Sequence, residues 1–172
     1  GILLFMSERL WAPWRMQYVS TAGKSDAGCI FCDKPAEALD EANLIVLRGT
    51  HAFAMLNLFP YTSGHLMVAP YRHTGDILSL NDEESLDLWR LMQCCVRLLQ
   101  RVYQPDGFNI GFNIGRAAGA GIEGHLHLHI VPRWHGDTNF MTTIGEVRVL
   151  PETLDETYRR LKAVLQEEGH DG

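Results

Sequence analysis

The chain has 172 residues, 46% of them hydrophobic and 21% charged, which suits one globular domain with a core large enough to need no staples. Its formal net charge of -6 excludes broad nucleic-acid binding, which needs a basic surface, but not a small phosphorylated ligand held at a local site. No apolar run approaches the roughly 20 residues of a membrane span, so no membrane association is expected.

The stretch "GILLF" before Met6 is too short for a signal peptide and lacks a basic flank and a cleavage site. Met6 therefore reads as the native start, residues 1–28 as an N-terminal extension, and 29–172 as a single domain. With no secretory context the chain is expected in the cytoplasm, and its four cysteines are not expected to form a disulfide framework. Cys94 and Cys95 are neighbours inside a helical pattern and read as filler. Cys29 and Cys32, in "CIFC", have the spacing of half a metal site or of a redox pair, with a core role as the third option.

"ANLIVLRGT" and "HAFAMLN" read as two strands with a turn at Gly49 and Thr50. "HLMVAP" is a third strand, stopped by Pro70. "NDEESLDLWRLMQCCVRLLQRVY" is the clearest helix. Asn81 and Glu84 form a capping pair at its start, and Asp82 and Glu83 sit where the helix dipole favours them. Leu88, Met92, Cys95 and Leu99 recur at helical spacing, with Trp89 and Val96 expected to widen the stripe. "FNIGFNI" is a strand, "GRAAGAGIEG" a glycine-rich loop, and "HLHLHIV" the next strand, which Pro132 is expected to end. "ETLDETYRRLKAVLQEE" is a second helix with Leu154, Tyr158, Leu161 and Leu165 on one side and Pro151 near its start. Strands in runs with two helices, without strict alternation, point to an α+β fold with a mostly antiparallel sheet.

Side chains alternate along a strand, so His125, His127 and His129 share one face and Leu126, Leu128 and Ile130 the other. A solvated polar face is a poor explanation for three imidazoles in register. One zinc held by all three is also poor. The outer pair would stand about 13 Å apart at Cα, given a rise of about 3.3 Å per residue. Nitrogens at about 2.1 Å from one ion do not easily come from such a span. Separate tasks are expected instead. A neutral imidazole is a good nucleophile near pH 7, and a second beside it can give a proton to a phosphate oxygen. The "GAG" turn just upstream lets backbone N–H groups approach a ligand closely.

At this point the chain resembles the histidine triad (HIT) family, whose motif alternates three histidines with apolar residues. The resemblance rests on "HLHLHIV" running into "PRW", on "LNLFPYTSGHLMVAPYRH", and on "WAPWRMQYV", "GFNIGRAAGAG" and "PRWHGDTNFM". The last three resemble a bacterial branch that includes diadenosine tetraphosphate phosphorylases. The resemblance covers roughly residues 29–140.

It implies a HIT-like fold, with a five-stranded antiparallel sheet and a long helix, and a homodimer that joins two sheets into ten strands. It implies that His127 attacks the α-phosphorus to form a nucleotidyl-imidazole, that His129 contacts the transferred phosphate, that Asn113 holds a phosphate oxygen and that Asn57 binds ribose hydroxyls. Phe53 and Met55, on the face of Asn57, either line the base pocket or belong to the core. Many relatives carry Gln or Ser before the triad, where this chain has Ala120 and Gly121. Only backbone N–H groups are then available to the leaving group, which favours polyphosphate over an amine. Zinc-bearing relatives imply a structural zinc held by Cys29, Cys32, His73 and His125, although His73 also fits an ordinary surface loop. His65 reads as structural. Trp134, just past the triad, is expected at the site rim in contact with nucleotide, with Arg133 near a distal phosphate; packing against the C-terminal helix or a neighbouring subunit is the competing reading.

The expected activity is cleavage of dinucleoside polyphosphates, with inorganic phosphate favoured over water to resolve the intermediate. A nucleoside phosphoramidate or adenylyl-conjugate hydrolase and a non-catalytic nucleotide-binding module are the alternatives. An intact His127 argues against the last, since binding alone needs no nucleophile.

Overall fold

The computed structural model describes residues 28–137 and 152–169. The expectations for Met6, the "WAPWRMQYV" motif, Pro151 and the extension before Gly28 lie outside those residues. Five strands form one antiparallel sheet: β1 (Ile45–Arg48), β2 (Ala52–Leu56), β3 (Leu66–Pro70), β4 (Gly107–Phe112) and β5 (Leu128–Arg133). Their order across the sheet is β1-β2-β3-β5-β4. Two short helices, α1 (Ile30–Ala36) and α2 (Asp40–Asn43), precede it. Helix α3 (Asp82–Tyr103) joins β3 to β4, and α4 (Leu154–Glu167) follows β5. The α+β expectation is met.

The two faces of the sheet build two separate cores. Ala54, Leu56, Leu66, Val68, Leu128 and Ile130 point to one side and meet α3 and α4. Phe53, Met55, Met67 and Ala69 point to the other and meet Ile45, Ile122, Cys29 and Phe31. Strands β2 and β3 are therefore buried on both faces, and their sequences are apolar throughout. The strand register pairs Met67 with His129, so the last histidine of the triad belongs to the face of Met67 and Met55.

Helix α3 begins at the expected capping box, with Asn81 and Glu84 bonded reciprocally. Asp87 on its second turn accepts N–H bonds from His51 and Ala52 at 2.7 and 3.0 Å and so pins the β1–β2 turn to the helix. A Cβ on Gly49 would collide with that carboxylate, which explains the glycine. Gln104 leaves the helix in the left-handed region, one residue before Pro105.

Three expectations are corrected. Trp89 does not widen the buried stripe and is 61% exposed, whereas Leu91 and Leu98 are buried. At about 100° per residue Trp89 lies roughly 120° round from Cys95, off the face that meets the sheet. Pro132 does not end β5, which continues to Arg133. Pro132 pairs with Phe108 on β4, while pairing with β3 stops at Ile130, so its missing N–H falls on a side with no ladder to lose. The paired strand also begins at Leu128 instead of at His125, which leaves His125 and His127 on a stretch outside the ladder.

Leu99, fully buried between α3 and the sheet, tests this core. Leu99→Ala should cost about 2–5 kcal/mol in urea unfolding with an unchanged m-value, the range for a buried leucine that leaves a cavity.

Candidate active site

Cys29 and Cys32 are presented by a knuckle at the start of α1, where the Cys29 carbonyl accepts N–H bonds from Cys32 at 3.1 Å and Asp33 at 2.8 Å. Two histidines from distant segments converge on them. His125 Nδ1 lies 3.5 Å from both sulfurs, and His73 Nδ1 lies 3.3 Å from Cys32 Sγ and 3.3 Å from His125 Nδ1. All four donor atoms fall within 4.8 Å of one another. A tetrahedral zinc with S at about 2.3 Å and N at about 2.0–2.1 Å would set such donors about 3.3–3.8 Å apart, so the set fits. The His125 Nε2–H donates to the Pro70 carbonyl at 2.7 Å, which leaves Nδ1 as the lone-pair nitrogen facing the sulfurs. Next to His73, Arg72 is tied to α3 by two bonds to Glu84, at 3.0 and 2.8 Å, and holds that carboxyl below the usual range. Two imidazoles on the same point favour the metal reading of "CIFC" over a redox pair.

His127 is buried, and its Nδ1–H donates to the His125 carbonyl at 2.9 Å. That bond fixes the tautomer and leaves the lone pair on Nε2. Burial lowers the pKa of the ring, against the opposing pull of the same hydrogen bond, and so favours the neutral form. The ring is stacked on Phe31, with centroids 4.7 Å apart and planes at 26°, and meets the edge of His129 at 4.8 Å. A neutral imidazole with a fixed Nε2 lone pair is a ready nucleophile.

His129 is oriented by His65, which the sequence reading took as merely structural. The Tyr61 N–H donates to His65 Nδ1 at 3.2 Å, so in the neutral ring the proton sits on Nε2. That nitrogen is 3.0 Å from His129 Nδ1 and donates to it, which places the proton of neutral His129 on Nε2. The triad thus presents one nitrogen lone pair at His127 and one N–H donor at His129. His65 was discoverable once "HLMV" was paired with the triad strand, since it then falls on the triad face.

The remaining expected residues scatter around this pair. Asn57, at the end of β2, accepts the Phe59 N–H at 2.9 Å through Oδ1 and has Nδ2 3.4 Å from His65 Nε2. Asn113 is exposed just past β4, two residues beyond Gly111, which pairs with His129. Gly121 is half-buried in the loop before the triad, between buried Ala120 and Ile122. Phe53 and Met55 are fully buried, as core beneath the site. Trp134 is half-buried and packs edge-on against Tyr103 at the end of α3, with centroids 6.4 Å apart. Arg133 forms a two-point pair with Asp137, at 2.9 Å each, and bonds Asn109 at 2.8 Å.

The family model described as "HIT domain" matches residues 40–136. The chain belongs to the HIT family. It is 42% identical over 161 residues to a Mycobacterium tuberculosis protein named "AP-4-A phosphorylase", covering 90% of this chain and 82% of that one. A Dictyostelium discoideum "Bis(5'-adenosyl)-triphosphatase" is 35% identical over 82 residues, 48% of this chain and 54% of its own. Among solved structures, a "ZN-bound histidine triad family protein" from Mycobacterium smegmatis superposes with a TM-score of 0.67 at 26% identity, covering 84% of this chain and 98% of that one.

In this HIT domain the loop before the triad is braced by the segment that carries His73. The Leu126 N–H donates to the Thr74 carbonyl at 2.8 Å, and a Cβ on Gly75 would strike the Glu123 carbonyl oxygen. Gly75→Ala should therefore force backbone apart and lower stability by about 1–3 kcal/mol, as overpacking does. Gly107→Ala, where a Cβ meets nothing within 4 Å, should stay within about 0.5 kcal/mol in the same thermal melts.

Proposed function

We propose that this chain is a HIT-family enzyme that cleaves dinucleoside polyphosphates of the diadenosine tetraphosphate kind through a nucleotidyl intermediate on His127. The observation that carries the proposal is the tautomer of His127: with Nδ1–H bonded to the His125 carbonyl, the free electron pair sits on Nε2. Nε2 attacks the α-phosphorus, an N–P bond forms, and the bond to the bridging oxygen of the leaving nucleoside polyphosphate breaks. The His129 N–H, oriented by His65, donates to a phosphate oxygen as charge develops. Asn113 holds a phosphate oxygen and Asn57 the ribose hydroxyls. The loop at Ala120 and Gly121 offers backbone N–H groups and no side-chain acid. An amine leaving group would need such an acid and a polyphosphate does not, which supports the polyphosphate substrate over a phosphoramidate.

In the second half, phosphate attacks the intermediate and the N–P bond to His127 breaks. Diadenosine tetraphosphate plus phosphate then gives ADP and ATP, whereas water would give AMP and ATP. The name of the mycobacterial relative, a phosphorylase, supports phosphate. Trp134 is proposed as a rim contact for the second nucleoside while its edge rests on Tyr103. Cys29, Cys32, His73 and His125 are proposed to hold one structural zinc, supported by their spacing and by the zinc-bound solved relative. A homodimer that extends the sheet at β4 is supported by the exposure of Ile110 on that outer strand and of Ile114 just past it, 43% and 45%. A cytoplasmic location is part of the same reading, in keeping with cysteines that form no disulfide among the described residues.

Incubation with diadenosine tetraphosphate, with and without phosphate, should give ADP plus ATP only when phosphate is present. AMP plus ATP in both would assign hydrolysis instead. His127→Ala should lose turnover by orders of magnitude with its melting temperature nearly unchanged. Elemental analysis of protein purified without chelator should find one zinc per chain, and Cys32→Ser should lose the zinc and melt at lower temperature.

A further inference from the structure

We infer that Phe31 is a positioning residue for the nucleophile: its ring, carried between the two thiol ligands of the metal centre, holds the plane of the His127 imidazole. The inference rests on the proposed role of His127. Three contacts constrain that imidazole. Its Nδ1–H bond to the His125 carbonyl fixes the tautomer, but a single hydrogen bond leaves the ring able to rock about it. The stack on Phe31, at 4.7 Å and 26°, limits rotation out of plane, and the His129 edge at 4.8 Å and 69° closes the other side. Without the phenyl wall, Nε2 swings on the Cβ–Cγ axis, and its lone pair leaves the line of attack.

Phe31 lies in the turn that carries two of the four residues proposed to hold zinc. It is fully buried, and it sits in the knuckle whose two ends are Cys29 and Cys32, closed by the bonds to the Cys29 carbonyl. Its ring also meets His125 at 5.3 Å. The carbonyl that accepts from His127 belongs to His125 as well. Two of the three restraints on the nucleophile therefore issue from residues of the Cys2His2 set or from the turn between them. The burial of Phe31 alone would be satisfied by any apolar side chain; the stack on His127 would not, because it needs a flat ring.

Phe31→Leu keeps an apolar side chain of similar bulk and removes the ring; Phe31→Met serves if the leucine variant does not fold. With diadenosine tetraphosphate, kcat should fall by up to about 10²-fold, the effect of misplacing a reacting group by about 1 Å, while KM changes little. Zinc content should stay that of the wild type. In nucleotide-free protein, 15N relaxation of the His127 ring should report one rigid orientation in the wild type and added motion in the variant. Unchanged kcat with a rigid ring would overturn the inference. So would a rise in KM alone with the ring still rigid, which would make Phe31 a floor for the base. Loss of zinc in the variant with an unmoved ring would overturn it too. If the wild type itself fails to cleave diadenosine tetraphosphate, the substrate reading falls, and the relaxation measurement still decides the role of Phe31.

Discussion

The alternation of side chains along an extended chain is the constraint on which the rest of this molecule depends. It delivers His125, His127 and His129 to one face at intervals of two residues, while Leu128 and Ile130 are spent on the helix-side core. Because the spacing is too wide for a common ligand, each imidazole meets a different set of neighbours. His125 reaches the cysteines, His127 meets Phe31, and His129 meets His65. One extended segment thus passes in turn through the Cys2His2 set, the stack on Phe31 and the bond to His65.

The sheet leaves the first two histidines of that face outside its strand pairing, although both are buried. Strand β5 pairs with β3 only from Leu128 to Ile130, and the residues before it lean instead on the loop at Thr74 and Gly75. The first two histidines therefore lie beside the ladder, where their backbone groups can serve side chains: the His125 carbonyl takes the His127 proton. On the far side, α3 and α4 seal the sheet with leucines and Tyr158, so the helix layer supplies rigidity and the triad layer supplies the site.

Much of this was legible in the sequence, and the parts that were not share a physical cause. The triad face, the Cys29–Cys32 pair and the capping box at Asn81 all follow from spacing within one segment. The role of His65 escapes the sequence because it depends on the register between β3 and β5, which sets His129 opposite Met67 and so diagonal to His65. Pro132 was misjudged because the end of β3, not the proline, decides where a missing N–H matters. Trp89 was misjudged because its neighbours on α3 satisfy the stripe at a slightly different phase. The tautomers of His125 and His127 could not be read at all, since they are set by carbonyl oxygens that any residue would carry.

That last point bears on how the site can drift. The orienting acceptors for His125 and His127 are main-chain oxygens, of Pro70 and His125. Substituting the residue that carries such an oxygen does not remove it, so the acceptors that set these two tautomers survive a change of side chain, whereas the plane of the His127 ring, which rests on Phe31, does not. His129 is different: its partner is the side chain of His65, and one base change in the gene can delete it. The hydrogen bond that orients His129 is therefore open to loss by a single substitution at position 65, while the acceptors for His125 and His127 are not.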